Sequence, residues 1–268
     1  MTSTPHGRDE LTALIGAMLE GAAVRDIGAG RPILVLHGGG GAATVAGLSQ
    51  TLSGAARVLT PTHPGFEGTP RPAWLNSVAA LATLYLTLLD RMGVGQIVIV
   101  GSSVGGWIGS EMAAQAPGRV KGLVLINATG IAVENDPLVD VRQLPLPELM
   151  RLAHHDPAKI LAAAPPPSAQ QQAIRVSNAA ALAAYDNGMN GQDPSLRARL
   201  SDVTMPVLVI WGESDGIASS GYGAAYSDAF ASGVFERVAQ AGHFPHIEQK
   251  ERVSALISGF LQRLGWAS

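Results

Sequence analysis

Short apolar runs rich in β-branched residues recur at Ile33 to Leu36, Ile97 to Val100, Leu123 to Ile126 and Val207 to Trp211, with weaker ones near Val58 and Val234. Each run is apolar at successive rather than alternate positions. That pattern predicts strands covered on both faces, as in a parallel sheet held between layers of helices. Between the runs the period changes: from Leu81, the apolar residues Leu84, Tyr85, Leu88, Leu89 and Met92 fall at +3, +4, +7, +8 and +11, the stripe of a helix packed on a sheet. Val253, Leu256, Ile257, Phe260, Leu261 and Leu264 repeat the spacing and predict a closing helix docked on the same sheet.

The predicted fold class is α/β, a mostly parallel central sheet flanked by helices, with a small helical cap insertion. The alternation stops from about Ile131 to Thr204, where Pro137, Pro145, Pro147, Pro157 and Pro165 to Pro167 punctuate Ala- and Gln-rich pieces and no strand is predicted. Residues 1–130 and 205–268 are therefore read as two parts of one core, and 131–204 as a helical cap. Leu144, Leu146, Leu149, Met150, Leu152, Ile160 and Leu161 give the insert an apolar face, which favours a packed cap over a linker.

Composition narrows the function. With 47% hydrophobic and 15% charged residues in a chain of 268, disorder is excluded and one main core is affordable. The net charge is −3 and no Lys/Arg run forms a phosphate-tracking stripe, so nucleic acid is not an expected partner. Absence of cysteine removes disulfides, thiolate nucleophiles and cysteine-ligated metals. Asp9 and Glu10 precede the first apolar stretch, the wrong charge order for a signal peptide, and no apolar run approaches the ~20 residues that span a bilayer. The expectation is a cytoplasmic monomer or homodimer acting on a small molecule, with no membrane partner.

Candidate chemistry begins directly after the run Ile97 to Val100, at Gly101-Ser102-Ser103-Val104-Gly105-Gly106, followed by a helical pattern. Strand, G-x-S-x-G, helix is the context in which a serine is held on a strained turn, with glycines two residues either side because side chains there would collide with backbone. Ser103 is thus the candidate nucleophile, and Ser102 lacks the flanking glycines. A serine hydroxyl needs a general base, itself oriented by a third group. Gly212-Glu213-Ser214-Asp215 follows the run Val207 to Trp211 and offers Asp215, with Glu213 as competitor. Ala241-Gly242-His243-Phe244-Pro245-His246 offers His243 as base. His246 is assigned to packing or hydrogen bonding, since the two histidines have no further nearby ligands for a metal. Each residue alone is more often structural; the chain order Ser, Asp, His, each at a strand's carboxyl end, carries the reading.

A fourth element, His37-Gly38-Gly39-Gly40-Gly41, follows the run Ile33 to Leu36. Acyl transfer builds negative charge on a carbonyl oxygen and needs preplaced backbone N–H donors. Gly39 or Gly40 is expected to supply one and Val104, at a helix N-terminus, the other, while His37 braces the loop. The glycines do not have dinucleotide or P-loop spacing.

Taken together, these motifs resemble the α/β-hydrolase fold family: His37 to Gly40 its oxyanion loop, His63-Pro64-Gly65-Phe66-Glu67-Gly68 the glycine-containing turn after its fourth strand, Gly101 to Gly105 its nucleophile elbow, and Trp211 to Asp215 with Gly242-His243 the remaining pair. The resemblance covers nearly all of the chain outside the cap. It implies a serine hydrolase that needs no metal or organic cofactor. A serine at 103 argues against the aspartate-dependent dehalogenases and epoxide hydrolases of the family, leaving cleavage of a small or medium ester or lactone through an acyl-enzyme. The alternative is the family's carbon–carbon bond hydrolases, which act on vinylogous diketones with the same triad; here Arg142 or Arg175 would hold a substrate carboxylate. A non-catalytic ligand receptor on the same fold is the reading of another class. For the substrate pocket, Leu146, Leu149 and Met150 are expected to shape the acyl or alcohol site, with Arg142, Arg175 and Tyr185 as orienting polar groups.

Overall fold

In the computed structural model, residues 5–21, 23–141, 144–163 and 167–266 are described. Nine strands form among them: β1 (Val24–Ile27), β2 (Pro32–Leu36), β3 (Arg57–Pro61), β4 (Ile97–Ser102), β5 (Val120–Ile126), β6 (Gly130–Ile131), β7 (Gln192–Asp193), β8 (Val207–Gly212) and β9 (Gly233–Val238). Seven make one sheet in the order β1-β3-β2-β4-β5-β8-β9, parallel throughout except for β1, which runs antiparallel to β3.

Residues along each central strand alternate between two apolar cores. Leu34, Leu36, Ile97, Ile99, Leu123, Leu125, Val207 and Val209 enter one core, with helices Val78–Arg91 and Val104–Gln115. Ile33, Val35, Val98, Val100, Val124, Ile126, Leu208 and Ile210 enter the other, under helix Lys250–Arg263. Two-sided burial explains why these strands carry apolar residues at successive positions, each such side chain contributing about 1.5–3 kcal/mol over leaving it in water. The stripe from Leu81 lies in helix Val78–Arg91, started by Ser77, whose side chain accepts from the Ala80 N–H. The closing stripe is helix Lys250–Arg263.

Two strands depart from the expectation. β1 reads Val-Arg-Asp-Ile, polar at its centre because it is a half-exposed edge, with Asp26 ion-paired to Arg57 of the neighbouring strand at 2.7 Å. Second, the insert is not free of strand: β7 pairs in parallel with β6 over two residues, too few for any periodicity to register. Otherwise the insert holds helices Leu146–Ala153, Pro157–Ala163, Ala169–Asp186 and Leu196–Leu200. It rejoins the core where Arg199 reaches the buried Glu111 with bonds of 2.7 and 2.8 Å. Among the described residues no helix is long and apolar enough to cross a membrane.

Candidate active site

The turn between β4 and helix Val104–Gln115 forces Ser103 into φ 55°, ψ −123°, a conformation costly for any residue but glycine. The surrounding glycines permit it: a side-chain carbon on Gly101 would stand 2.3 Å from the Gly105 carbonyl oxygen, and one on Gly105 would stand 2.2 Å from that of Leu36. Hydrogen bonds from Ser103 N to Ile126 O (3.0 Å) and from Gly106 N to Ser103 O (2.9 Å) fix the turn. Val104 is the first residue of the helix, where its N–H has no carbonyl partner within the helix.

Asp215 lies on the loop after β8, its side chain fully buried. One carboxylate oxygen accepts from the backbone of Ile217 (2.8 Å) and Ala218 (3.2 Å). The other accepts from Asn127 Nδ2 at 2.6 Å and stands 2.8 Å from His243 Nδ1. Buried carboxylates persist only when so satisfied. The geometry separates the two acidic candidates: Glu213 is exposed and faces Arg237 at 3.9 Å. Asn127 was not singled out from the sequence. It follows β5 at φ 44°, and its Oδ1 accepts the Gly212 N–H at 3.1 Å while its amide donates to Asp215, so one side chain braces the loop and the carboxylate together.

His243 is buried after β9, and the insert holds it in place: its N–H donates to Ala153 O at 2.8 Å, while Gly216 N donates to Leu152 O at 2.8 Å. The last carbonyls of helix Leu146–Ala153, which have no partners within a helix, thus anchor both the aspartate and histidine loops. Glu248 adds a second tie, accepting from Gly242 N (2.7 Å) and His155 N (2.9 Å). His246 is buried, with Nε2 3.2 Å from Thr44 O. Among the described residues no hydrogen bond closes between Ser103 Oγ and His243, a contact that commonly tightens only around bound substrate.

The glycine loop after β2 passes beside the serine: a carbon built on Gly38 would lie 3.5 Å from Ser103 Oγ. At its start His37 stacks on His63 with ring centroids 3.7 Å apart. His37 Nε2 accepts from His63 N at 3.0 Å, and its Nδ1–H donates to Gly38 O at 2.8 Å. His63 returns Nε2–H to His37 O at 3.0 Å and takes the Tyr85 hydroxyl on Nδ1.

Burial pushes His37 down to about 4, His246 likewise to about 4, and His63 well below its usual range. These rings fold neutral, whereas in the unfolded chain they take up protons near 6.5. Between about pH 6.5 and about pH 4 the unfolded state therefore binds more protons, so stability present above the window is lost as pH falls through it. Melting curves are expected to show Tm dropping between about pH 7.5 and about pH 5, with net proton uptake on unfolding at the lower pH. A flat Tm across that range contradicts the assignment.

The remaining residues expected in the site lie in the insert. Leu146, Leu149 and Met150 are half-buried on helix Leu146–Ala153, and Arg175 is exposed on helix Ala169–Asp186. Tyr185 is buried, its hydroxyl donating to Pro64 O at 2.8 Å. Arg142 lies outside the described residues. Two leucines that the sequence does not assign to the site, Leu152 being read there only as part of the insert's apolar face, stand against the loops. Leu182 comes within 3.0 Å of where a side chain on Gly39 would begin, and Leu152 within 2.9 Å of the same point on Gly216. Both sit in helical patterns that show which residues share a face, but not which loop that face meets.

This sheet order, with a serine on the sharp turn after its middle strand, defines an α/β-hydrolase fold hydrolase. The chain belongs to the alpha/beta hydrolase family, whose sequence profile matches residues 33–256. A 2-hydroxymuconate semialdehyde hydrolase of Pseudomonas sp. (strain CF600) is 24% identical over 276 residues, covering 92% of this chain and 94% of that protein. A 2-hydroxy-6-oxo-2,4-heptadienoate hydrolase of Pseudomonas putida is 33% identical over 116 residues; that match spans 41% of this chain and 42% of the relative, less than half of either. A thermophilic esterase from Thermogutta terrifontis superposes with a TM-score of 0.74 at 24% identity, covering 90% of this chain and 93% of that one. A meta-cleavage product hydrolase from Pseudomonas fluorescens IP01 gives 0.70 at 21% identity over 90% and 93%. At such identities the structural likeness is one of fold.

Proposed function

We propose that this hydrolase cleaves a small or medium uncharged ester or lactone through an acyl-enzyme on Ser103. The observation that carries the proposal is the pairing of a fully buried Asp215 with His243 Nδ1 at 2.8 Å, beside a serine held at φ 55°. In this reading Asp215 fixes the tautomer that leaves His243 Nε2 free to accept a proton. His243 then deprotonates Ser103 as it attacks the carbonyl, and the tetrahedral oxyanion is received by the N–H groups of Val104 and of Gly39 or Gly40. Collapse expels the alcohol, protonated by His243, and a water activated by the same imidazole releases the acid. Leu152, Leu182 and the half-buried Leu146, Leu149 and Met150 support an apolar site under the insert, while the exposure of Arg175 speaks against its holding a carboxylate.

Carbon–carbon bond hydrolysis of a vinylogous diketone is the second reading, favoured by the 24% identity to 2-hydroxymuconate semialdehyde hydrolase over 92% of the chain. A panel of p-nitrophenyl esters, lactones and a vinylogous diketone, run beside Ser103→Ala, separates the two. Turnover of the diketone with esters untouched contradicts the ester reading. No Ser103-dependent turnover of any member favours a ligand receptor instead.

Substrate length should be read by the insert. Enlarging or shrinking Leu146, Leu149, Met150 or Leu182 is expected to change the ratio of kcat/KM for a short against a long ester by about tenfold, the scale of one or two methylenes in an apolar pocket. A ratio constant across all variants, with only Tm moving, would falsify the role of the insert as pocket roof.

A further inference from the structure

The turn His63 to Gly68 performs no step in the mechanism above, yet it touches the glycine loop at both ends. At the entrance, His63 stacks on His37 and Phe66 packs edge-on against the same ring with centroids 4.9 Å apart. At the exit, Glu67 Oε1 accepts the Ala42 N–H at 2.8 Å. Ala42 opens a short 3-10 turn, and Gly41, which precedes it, provides no side-chain cap, so the Glu67 carboxylate supplies from a distant loop the acceptor that the local sequence lacks.

Glu67 itself sits at φ 54°, ψ 29°, a left-handed conformation unfavourable for a residue with a side chain. Strain of this kind persists only where surrounding contacts over-determine it. Here the contacts come from the insert: the Glu67 N–H donates to Asn178 Oδ1 at 2.8 Å, and Asn178 is buried on helix Ala169–Asp186. Gly41 is wedged between the two, since a carbon built on it would stand 2.7 Å from Glu67 Oε1 and 2.8 Å from Asn178 Nδ2. Both ends of the segment Gly38 to Gly40 are thus fixed, one by buried histidines and the other by a carboxylate whose own backbone the insert holds.

We propose that Glu67 is a positioning residue for the oxyanion donors, through which the insert's long helix sets the placement of the glycine loop beside Ser103. The proposal rests on the acyl-transfer reading and adds to it a residue that touches neither substrate nor the reacting atoms. A carboxylate with this role acts through the Ala42 N–H alone, so an amide oxygen in the same place should serve as well, whereas removal of the acceptor should let the loop exit move. Because the donors serve the tetrahedral state more than the ground state, the loss should appear in kcat.

The test compares Glu67→Ala, Glu67→Gly and Glu67→Gln with the wild-type chain. Glu67→Ala is expected to lower kcat about tenfold with KM nearly unchanged, a smaller loss than the ~10²–10³ for deleting an oxyanion donor outright. Its affinity for phenylboronic acid, which forms a tetrahedral adduct on an active serine, should weaken by the same factor. Glu67→Gly, which relieves the left-handed strain but lacks the acceptor, should lose as much, and Glu67→Gln should recover wild-type kcat. Amide hydrogen exchange over Gly39 to Ala42 should accelerate in the alanine and glycine variants only. Wild-type kcat in Glu67→Gly overturns the proposal, as does failure of Glu67→Gln to recover. Unchanged exchange in Glu67→Ala overturns it whatever the activity. Absence of Ser103-dependent turnover in the wild-type chain is a different result: it removes the acyl-transfer reading and the catalytic part of this proposal with it.

Discussion

Replacing Ser103 by alanine is expected to lower kcat by on the order of 10⁴-fold or more while leaving the fold intact, because nucleophile, base and acid act as a unit and the loss of one forfeits most of what all three supply. Alanine keeps the Cβ and removes only Oγ, and among the described residues Ser103 Oγ makes no hydrogen bond, so thermal stability should not fall. A Tm within about 2 °C of wild type corresponds to a change of no more than about 1 kcal/mol for a chain of this size. Retention of more than a few per cent of wild-type kcat, in protein shown free of wild-type enzyme, contradicts the assignment of the nucleophile.

The second large effect is expected at Asp215. Asp215→Asn preserves shape and size but places an amide against His243 Nδ1, favouring the tautomer whose Nε2 carries the proton and so cannot accept one from Ser103. Activity should fall by about 10⁴-fold. Stability should fall as well, since the carboxylate now accepts from Asn127, Ile217, Ala218 and His243, and an amide nitrogen facing any of these donors leaves a buried group unpaired at about 1–3 kcal/mol. Glu213→Gln should change kcat less than about twofold, because Glu213 is exposed and its nearest partner, Arg237, is 3.9 Å away in a pair of little energetic weight. Steady-state rates and urea melts of both variants decide the matter, and the reverse ranking would mean that the other carboxylate orients the histidine.

Much of this was legible in the chain because burial writes itself into sequence. Strands β2, β4, β5 and β8 lie between two cores and carry runs of successive apolar residues, which stand out; β1 does not, because an edge strand with Arg25 and Asp26 at its centre has no such signature. The turn at Ser103 was legible because its neighbours must be glycine, a requirement that the 2.2 Å and 2.3 Å approaches at Gly105 and Gly101 express directly. The bracing residues were not. Asn127 and Glu67 are ordinary polar residues whose importance lies in partners 85 or more and 25 or more positions away, respectively. An asparagine directly after the run Leu123 to Ile126, at the edge where the carboxyl ends gather, was the available hint. In the insert, apolar spacing marked helices but not their docking: Leu161 is left 44% exposed, while Tyr185, expected to meet substrate, directs its hydroxyl to Pro64 O.

The central claim, that Ser103 forms a covalent intermediate, is tested most directly by treating the folded protein with a fluorophosphonate and locating the adduct by mass spectrometry. A single phosphonyl group on Ser103, absent from Ser103→Ala and strongly slowed in Asp215→Asn, is the predicted result. An adduct on the adjacent Ser102, or no labelling of the folded protein, would contradict it.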